Sequence, residues 1–388
     1  MNIQGLTSGY AFSRNPIIIT NDWPSRLSKT GTYYIEYNGA KIYEGCFYPP
    51  LSINLSEIAD AAIDFFPEPP ADNENPLIMI EDAENFRCRT LYAQFDYDGN
   101  DCEIECVVVP GGIPSRSYRQ ITGRRKDIFT ERFLNPGNNF FLTTRSASWR
   151  IVIRETELYP LYFLGRPDIN FYVKELCSGL KFHPESNPDG VCALDIAALR
   201  KHFFTEYGII PSIFDVFCDD SFSCRIVIER AIPSKDRYLI KFRNSLGVFE
   251  LIEITENFTV TPEYEEADDA AFKRYDPVSD CFLHERDRIE RKLSLSTEIL
   301  VKNEERIRFL MDMIASEEVY LIGILDMPVK AIPSIDGFSH ALHPESPETL
   351  SLKLDISDRE MNIMQDMIDG SEGVKPKVFS PEFSKQFN

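Results

Sequence analysis

The chain has 388 residues, which is long for one hydrophobic core and predicts two or three domains. Apolar residues make up 43% and charged residues 27%, as in an ordinary globular protein. The net charge of −21 argues against a protein that wraps nucleic acid, because phosphate binding needs a clustered basic surface. We therefore expect no direct contact with nucleic acid.

The N-terminal residues lack the charged start and the apolar core of a secretory signal. No apolar run approaches the ~20 residues that a membrane helix needs. We expect a protein made in a reducing cytoplasm, with no signal peptide and no membrane segment. The nine cysteines include no CxxC pair, so we expect free thiols packed in cores rather than a disulfide framework.

Four pairs of segments resemble each other in the same order along the chain, which predicts a tandem duplication. The alignment places Phe86 opposite Phe222 and Cys88 opposite Cys224, and it predicts insertions in the first copy near 96–112 and 119–132. The matched segments are 33–58 with 170–199, 85–95 with 221–231, 113–119 with 232–238, and 133–142 with 242–251.

Each copy has the pattern of a small β-sandwich with one short helix. Two strands surround a turn at Asn38-Gly39 or at Ser178-Gly179, a helix follows with Asn54 or Asp195 as its N-cap, and further strands complete the copy. The fold class is therefore mainly β (α+β), with two tandem duplicated β-sandwich-like domains and a C-terminal α+β region. The predicted boundaries are 1–148, 149–262 and 263–388.

The C-terminal region begins with an acidic stretch at 263–269, which predicts a solvated linker. Residues 293–301 alternate like a strand, and 303–316 have helical spacing with Asn303 as a cap. Residues 317–325 and 349–357 predict further strands, and the tail from Gly370 predicts an extended arm.

Motifs for catalysis and for metal or phosphate binding are absent from the sequence. His340 and His343 lie in a proline-bounded loop, so a turn explains them better than a metal site. The stretch DYDGND at 96–101 lacks the glycine and glutamate positions of a calcium loop and predicts a hairpin turn instead. We predict no catalytic residue, no cofactor and no metal, and hence a protein that is not an enzyme.

A basic segment in the first copy is the candidate partner-binding site. It admits two interpretations: a solvated flexible loop, or a loop that docks on an acidic neighbour in an assembly. Arg132 follows it, and Asp127 and Glu131 are its acids. Its candidate residues are Arg116, Arg119, Arg124, Arg125 and Lys126.

Three stretches, at 37–58, 237–254 and 308–357, resemble tail or baseplate structural proteins of phages and prophages of Bacteroides-type bacteria. The resemblance covers much of the chain loosely and has no signature motif. It implies a non-enzymatic virion component, made in the host cytoplasm, that acts through subunit contacts in a ring or hub. Its partners would be copies of itself and other tail proteins.

Two alternatives remain at this point. The protein could be a glycan-binding or adhesion module, for which aromatic platforms at Tyr97, Tyr118 and Trp149 are expected, or an enzyme with an unrecognised site.

Overall fold

The computed structural model describes most of the first 266 residues and parts of the remainder. The described residues are 2–3, 8–21, 23, 29–63, 75–80, 90–124, 126–146, 148–234, 237–266, 273–276, 278, 281–284, 289–301, 303–322, 328–335 and 348–357.

The fold is mainly β, as the sequence predicts. The chain divides into two compact units, and the division differs from the predicted boundaries. The first unit comprises Met1–Arg230 with Asn244–Glu250, and the second comprises Ala231–Arg243 with Leu251–Asn388. This division places residues 231–243 and those from 251 with the C-terminal region rather than with the predicted second copy.

Among the described residues, the first half of the first unit forms nine strands and one helix. Residues alternate between buried and exposed positions along its long strands, as expected for a sheet that has one face against a core. The elements are β1 (Asn2–Ile3), β2 (Tyr10–Phe12), β3 (Ile18–Asn21), β4 (Gly31–Tyr37), β5 (Ala40–Phe47), β6 (Leu51–Asn54), α1 (Ser56–Ala62), β7 (Leu77–Met79), β8 (Thr90–Tyr97) and β9 (Asn100–Val109).

A second helix and a π-helical turn, α2 (Ser115–Thr122) and Phe129–Phe133, connect this half to the next. The second half then contains β10 (Arg150–Arg154), β11 (Leu161–Gly165), β12 (Phe171–Glu175), β13 (Lys181–Phe182), β14 (Gly190–Leu194), α3 (Ile196–Tyr207), β15 (Ile213–Cys218) and β16 (Ser221–Glu229).

The two halves repeat one sheet topology. The first forms a five-stranded sheet in the order β2-β9-β8-β4-β5, and the second forms one in the order β10-β16-β15-β12-β13. In both sheets the first pair is parallel and the other three are antiparallel. Each half also has a smaller sheet. In the first half it pairs β3 with β6, which is followed by α1, and in the second half it pairs β11 with β14, which is followed by α3. The sequence therefore contains an internal repeat, from strands β2 to β9 and β10 to β16.

Only the first of the four matched pairs lies on equivalent elements. Residues 221–231 lie on β16, whose counterpart is β9, whereas 85–95 reach into β8. Residues 113–119 enter α2, but 232–238 lead to a strand of the second unit, and 133–142 and 242–251 also have different structures. The predicted insertion at 96–112 is wrong because most of it is β9 (Asn100–Val109), which has β16 as its counterpart. Phe86 and Cys88 lie outside the described residues.

The smaller sheet and the helix of the first half cover the inner face of its five-stranded sheet. Ile19 and Leu51 from the smaller sheet and Ala59 from α1 share a buried cluster with Ile35 and Phe95. A second cluster joins both halves and includes Phe12, Val109, Tyr162 and Leu164.

The two repeat helices begin differently. Asp195 accepts hydrogen bonds from the backbone N–H groups of Ala197 and Ala198 at 2.8 and 3.0 Å, which confirms it as an N-cap. The N-cap position of α1 is Leu55, one residue later than predicted, and it makes no side-chain bond. The Asn54 side chain still accepts from the N–H of Ser56, the first residue of α1, and also from the Ile17 N–H, which ties β6 to the start of β3.

The described residues of the second unit form strands and one helix. These elements are β17 (Tyr238–Arg243), β18 (Phe249–Ile254), β19 (Thr259–Glu266), β20 (Lys273–Asp276), β21 (Cys281–His284), β22 (Ile289–Val301), α4 (Glu304–Ile314), β23 (Val319–Ile322), β24 (Val329–Lys330), β25 (Ile332–Ile335) and β26 (Glu348–Ser357). The strands form two four-stranded sheets, in the orders β18-β17-β23-β24 and β19-β22-β26-β25, and the pair β20-β21.

The helix and strands predicted for the C-terminal region are largely confirmed. Asn303 accepts from the Glu305 N–H at 2.9 Å and caps α4, whose Phe309 and Leu310 join the core of both sheets. The predicted linker at 263–269 is wrong up to residue 266, because β19 pairs with β22 as far as Glu266. The tail from Gly370 lies outside the described residues.

Gly247 shows how closely the chain packs inside the first unit. Its φ of +87° is in the left-handed region, and a Cβ there would overlap the backbone carbonyl of Pro110. Gly208, at the end of α3, also has a positive φ of +69°, but a Cβ there would meet nothing within 4 Å.

We expect Gly247→Ala to lower the free energy of unfolding by about 2–4 kcal/mol, through backbone strain and steric overlap. Gly208→Ala serves as the matched control and should lose only about 1 kcal/mol, because only its backbone is strained. Denaturant unfolding followed by circular dichroism measures both values. Equal losses would contradict the close contact at Pro110.

Candidate interaction site

The basic segment is fixed to the first unit by two anchors. On α2, Tyr118 and Ile121 pack against the cluster that joins the two halves, and the Tyr118 hydroxyl donates to the Pro16 carbonyl at 2.6 Å. After α2, the buried Asp127 accepts from the backbone N–H groups of Ser8 and Phe129, both at 2.8 Å. Residues 115–122 are thus a packed helix, and their interpretation as a flexible loop is wrong.

The predicted cations lie on the outer side of this segment. Arg116 and Arg119 are exposed and three residues apart on α2, so they occupy neighbouring positions on its surface. Arg124 is also exposed, just beyond the helix. The Lys126 ammonium is paired with Glu131 at 2.8 Å, and Arg125 lies outside the described residues.

Arg132 does not belong to this cationic surface. Its guanidinium lies 4.8 Å from the centre of the Phe133 ring, as in a cation–π contact. Burial lowers the pKa of Arg132. The exposed arginines of the described part of this segment are therefore Arg116, Arg119 and Arg124.

The expected aromatic platforms have three different environments. Tyr97 is buried, so the prediction of an exposed ring is wrong there, and Tyr118 is half-buried with its hydroxyl bonded. Trp149 is 53% exposed and lies 6.1 Å from the ring of Phe222.

A buried ionic network occupies the interior of the first unit. Arg145 is placed between two carboxylates, with its Nη1 2.6 Å from Glu157 and its Nε 3.2 Å from Glu250. Glu250 also accepts from the Thr144 N–H at 3.0 Å and from the Asn244 side-chain amide at 2.6 Å. Three separate chain segments are joined by these bonds.

Burial raises the pKa of Glu250, and the Arg145 guanidinium and the hydrogen bonds to the carboxylate oppose that rise. The groups bonded in this network, as far as the structure describes them, all belong to the fold of the first unit. Sequence reasoning missed it, although the signal was visible: Glu250 and Glu253 interrupt the otherwise apolar run 248–254.

The cysteines that the structure describes are free thiols. Cys106, Cys192, Cys218 and Cys224 are buried, as expected, whereas Cys46 and Cys177 are exposed, so the prediction of core packing is wrong for those two. Burial raises the pKa of Cys106 to about 12 and of Cys218 to about 11, and it also raises that of Cys224. Raised values favour the unreactive thiol over the nucleophilic thiolate.

Within the described ranges, no group of three or more His, Cys, Asp or Glu side chains could hold a metal ion. None of the helices in that part of the chain is long and apolar enough to cross a membrane.

No family model matches the sequence, and no curated protein matches it.

The Glu250 environment predicts a pH effect on stability. Because its pKa is raised on folding, the folded protein keeps a proton that the unfolded chain releases near the ordinary glutamate pKa of about 4.3. The free energy of unfolding of wild type should therefore exceed that of Glu250→Gln by an amount that decreases as the pH rises from 4 towards 7. Urea unfolding of both proteins across this range measures it, and an advantage that grows with pH would contradict the assignment.

Thiol exposure predicts the order of chemical labelling. In native protein, an alkylating reagent should modify Cys46 and Cys177 first, while Cys224 should react only after unfolding. Peptide mass mapping at successive times measures each site. Rapid labelling of Cys224 in protein that remains folded would contradict the burial of this side chain in β16.

Proposed function

We propose that the protein is a non-enzymatic structural subunit of a phage tail or baseplate assembly, acting through subunit contacts in a ring or hub. The observation that carries the proposal is the repetition of one sheet topology within a single unit. A repeated β-domain offers two similar surfaces on a common frame, which suits a subunit that must contact several neighbours.

The basic segment and the buried network support the same role. Arg116 and Arg119 on α2 and Arg124 just beyond it are exposed on a segment that is fixed at Tyr118 and at Asp127, so a partner would meet a preformed surface. The network of Arg145, Glu157 and Glu250 joins segments of the fold and gives it rigidity. The predicted partners are copies of this chain and other tail proteins, and the predicted location is the virion.

A glycan-binding module is the second candidate, and one observation favours it. The exposed Trp149 indole lies next to the half-exposed Phe222 ring, and sugar rings stack on surfaces of this kind. The other two expected platforms do not extend this aromatic surface, because Tyr97 is buried and Tyr118 is half-buried with its hydroxyl bonded to the Pro16 carbonyl.

Mass spectrometry of purified phage or prophage particles tests the structural role directly. The protein should be found in intact particles at a constant ratio to other tail components. Its absence from particles whose genome encodes it would refute the proposal, and binding on a glycan array would then favour the second candidate.

The basic segment predicts a salt-dependent contact. We expect Arg116→Glu/Arg119→Glu to weaken particle assembly or oligomer formation about tenfold at low ionic strength, where exposed charges are least screened. Lys201→Glu/Lys330→Glu changes the net charge equally at two other exposed positions and should have little effect. If Arg116→Glu/Arg119→Glu assembles like wild type, the exposed side of α2 is ordinary solvated surface and not a partner contact.

A further inference from the structure

The outer face of the first five-stranded sheet is acidic. Side chains alternate across a strand, so the register assigns Tyr34, Glu36, Tyr92, Glu103 and Glu105 to the side away from the core. On β4, β5, β8 and β9, all of them fully described, this face has six carboxylates and one ammonium group, that of Lys41. We call it the acidic face; its carboxylates are Glu36, Glu44, Asp96, Asp101, Glu103 and Glu105.

The equivalent face of the second sheet has the opposite sign. Its outward positions include five cations and two carboxylates, and one carboxylate, Asp215, is bound by Arg225 through two hydrogen bonds of 2.6 and 3.0 Å. Glu229 is the other. We call this the basic face; its cations are Arg150, Arg154, Lys174, Lys181 and Arg225.

An aromatic row crosses the basic face. The ring of Trp149 lies 6.1 Å from Phe222, Phe222 lies 5.8 Å from Phe217, and Phe217 stacks on Tyr172 at 5.0 Å. Trp149 is 53% and Phe222 37% exposed. The acidic face also has a ring pair, Tyr34 and Tyr92, with centres 6.2 Å apart.

The aromatic rings on both faces and the arginines of the basic face are features of protein interfaces. Trp, Tyr and Arg are the residues that most often dominate binding energy, and aromatic side chains are enriched in the interiors of interfaces. Both faces place aromatic rings among charges, and the charges of the two faces have opposite sign.

We propose that the acidic face of one copy of this chain docks on the basic face of a second copy. The inference rests on the proposed structural role and names the surfaces through which it would act. Since each copy has one face of each sign, the contact is head-to-tail and leaves a free face at either end for the next copy. Opposite charge steers the approach and disfavours contact between like faces.

The size of the faces fits a contact that is weak alone and strengthened by repetition. At ~4.8 Å between strands and ~3.3 Å per residue, the four strands of the acidic face, with about eight residues each, give a flat area of roughly 500 Å². The five strands of the basic face, with about five residues each, give roughly 400 Å². The two areas total roughly 900 Å², slightly below the ~1,000 Å² expected of a specific interface. A closed ring, in which every copy makes two contacts, would add stability by multivalency.

Charge exchange between the faces tests the proposal. Variant one is Glu44→Lys/Glu103→Lys/Glu105→Lys, which changes the acidic face from a net −5 to a net +1. Variant two is Arg150→Glu/Lys181→Glu, which changes the basic face from a net +3 to a net −1. All five side chains are exposed, so we expect both proteins to fold, which circular dichroism checks. Each variant alone has two faces of more similar charge and should self-associate at least about tenfold more weakly than wild type.

Mixing the two variants restores complementarity, because the reversed acidic face of one meets the reversed basic face of the other. An equimolar mixture should regain the mass of the wild-type assembly in sedimentation velocity at low salt. If each variant associates like wild type, or if the mixture does not recover, the proposal is overturned. A wild-type chain that stays monomeric while it binds glycans through Trp149 would overturn it as well.

Trp149 gives a signal from the basic face itself. The chain has two tryptophans, so Trp23→Phe leaves Trp149 as the single reporter. Association should protect it from acrylamide quenching, and unchanged quenching in the assembled state would exclude this face from the contact. Detection in virion particles tests the structural role independently, so the docking can fail while that role stands.

Discussion

Arg145 lies inside the first unit and forms ion pairs with both Glu157 and Glu250. These pairs link the three chain segments that contain the residues. Removing one member of a buried ionic network leaves another charge unpaired, which costs about 3–5 kcal/mol. Asn244 extends the network, since it donates to Glu250 and to the Leu142 carbonyl and accepts from the Leu246 and Val248 N–H groups. The packing of 244–250 into the first unit, including the close approach at Gly247, is organised around these polar bonds.

The repeat was predictable from the sequence in outline but not in register. The hairpin at Asn38-Gly39 and the strand-to-helix junctions at 54 and 195 carry recognisable local signals, and those parts align correctly. The later pairs matched short patterns, such as Ile-Pro-Ser, that fit a helix at 113–119 and the approach to a strand at 232–238 equally well. Such stretches take their structure from tertiary partners, here β23 for β17, and no local pattern encodes the partner.

The candidate surfaces were predictable only where charge clusters along the chain. The cations of 116–126 are close in sequence and were found, although their helical structure and the Lys126–Glu131 pair were not. The basic face was missed because Arg150, Lys181 and Arg225 come from three strands, far apart in sequence, that only the sheet brings together. Glu103 and Glu105 were placed correctly on one side of a strand, since alternation is a local property.

Strand β7 has a consequence for how the chain is made. It precedes the last two strands of the first repeat, yet it pairs with β14 of the second and completes the sheet β11-β14-β7. The Asp195 N–H adds a bond to the Pro76 carbonyl. During synthesis, residues 77–79 leave the ribosome long before residues 190–194 of β14. The backbone N–H and C=O groups of β7 therefore cannot pair with β14 until the second repeat has been made. The early repeat thus supplies part of the later one, and cutting the chain between the repeats would leave the edge of β14 uncovered.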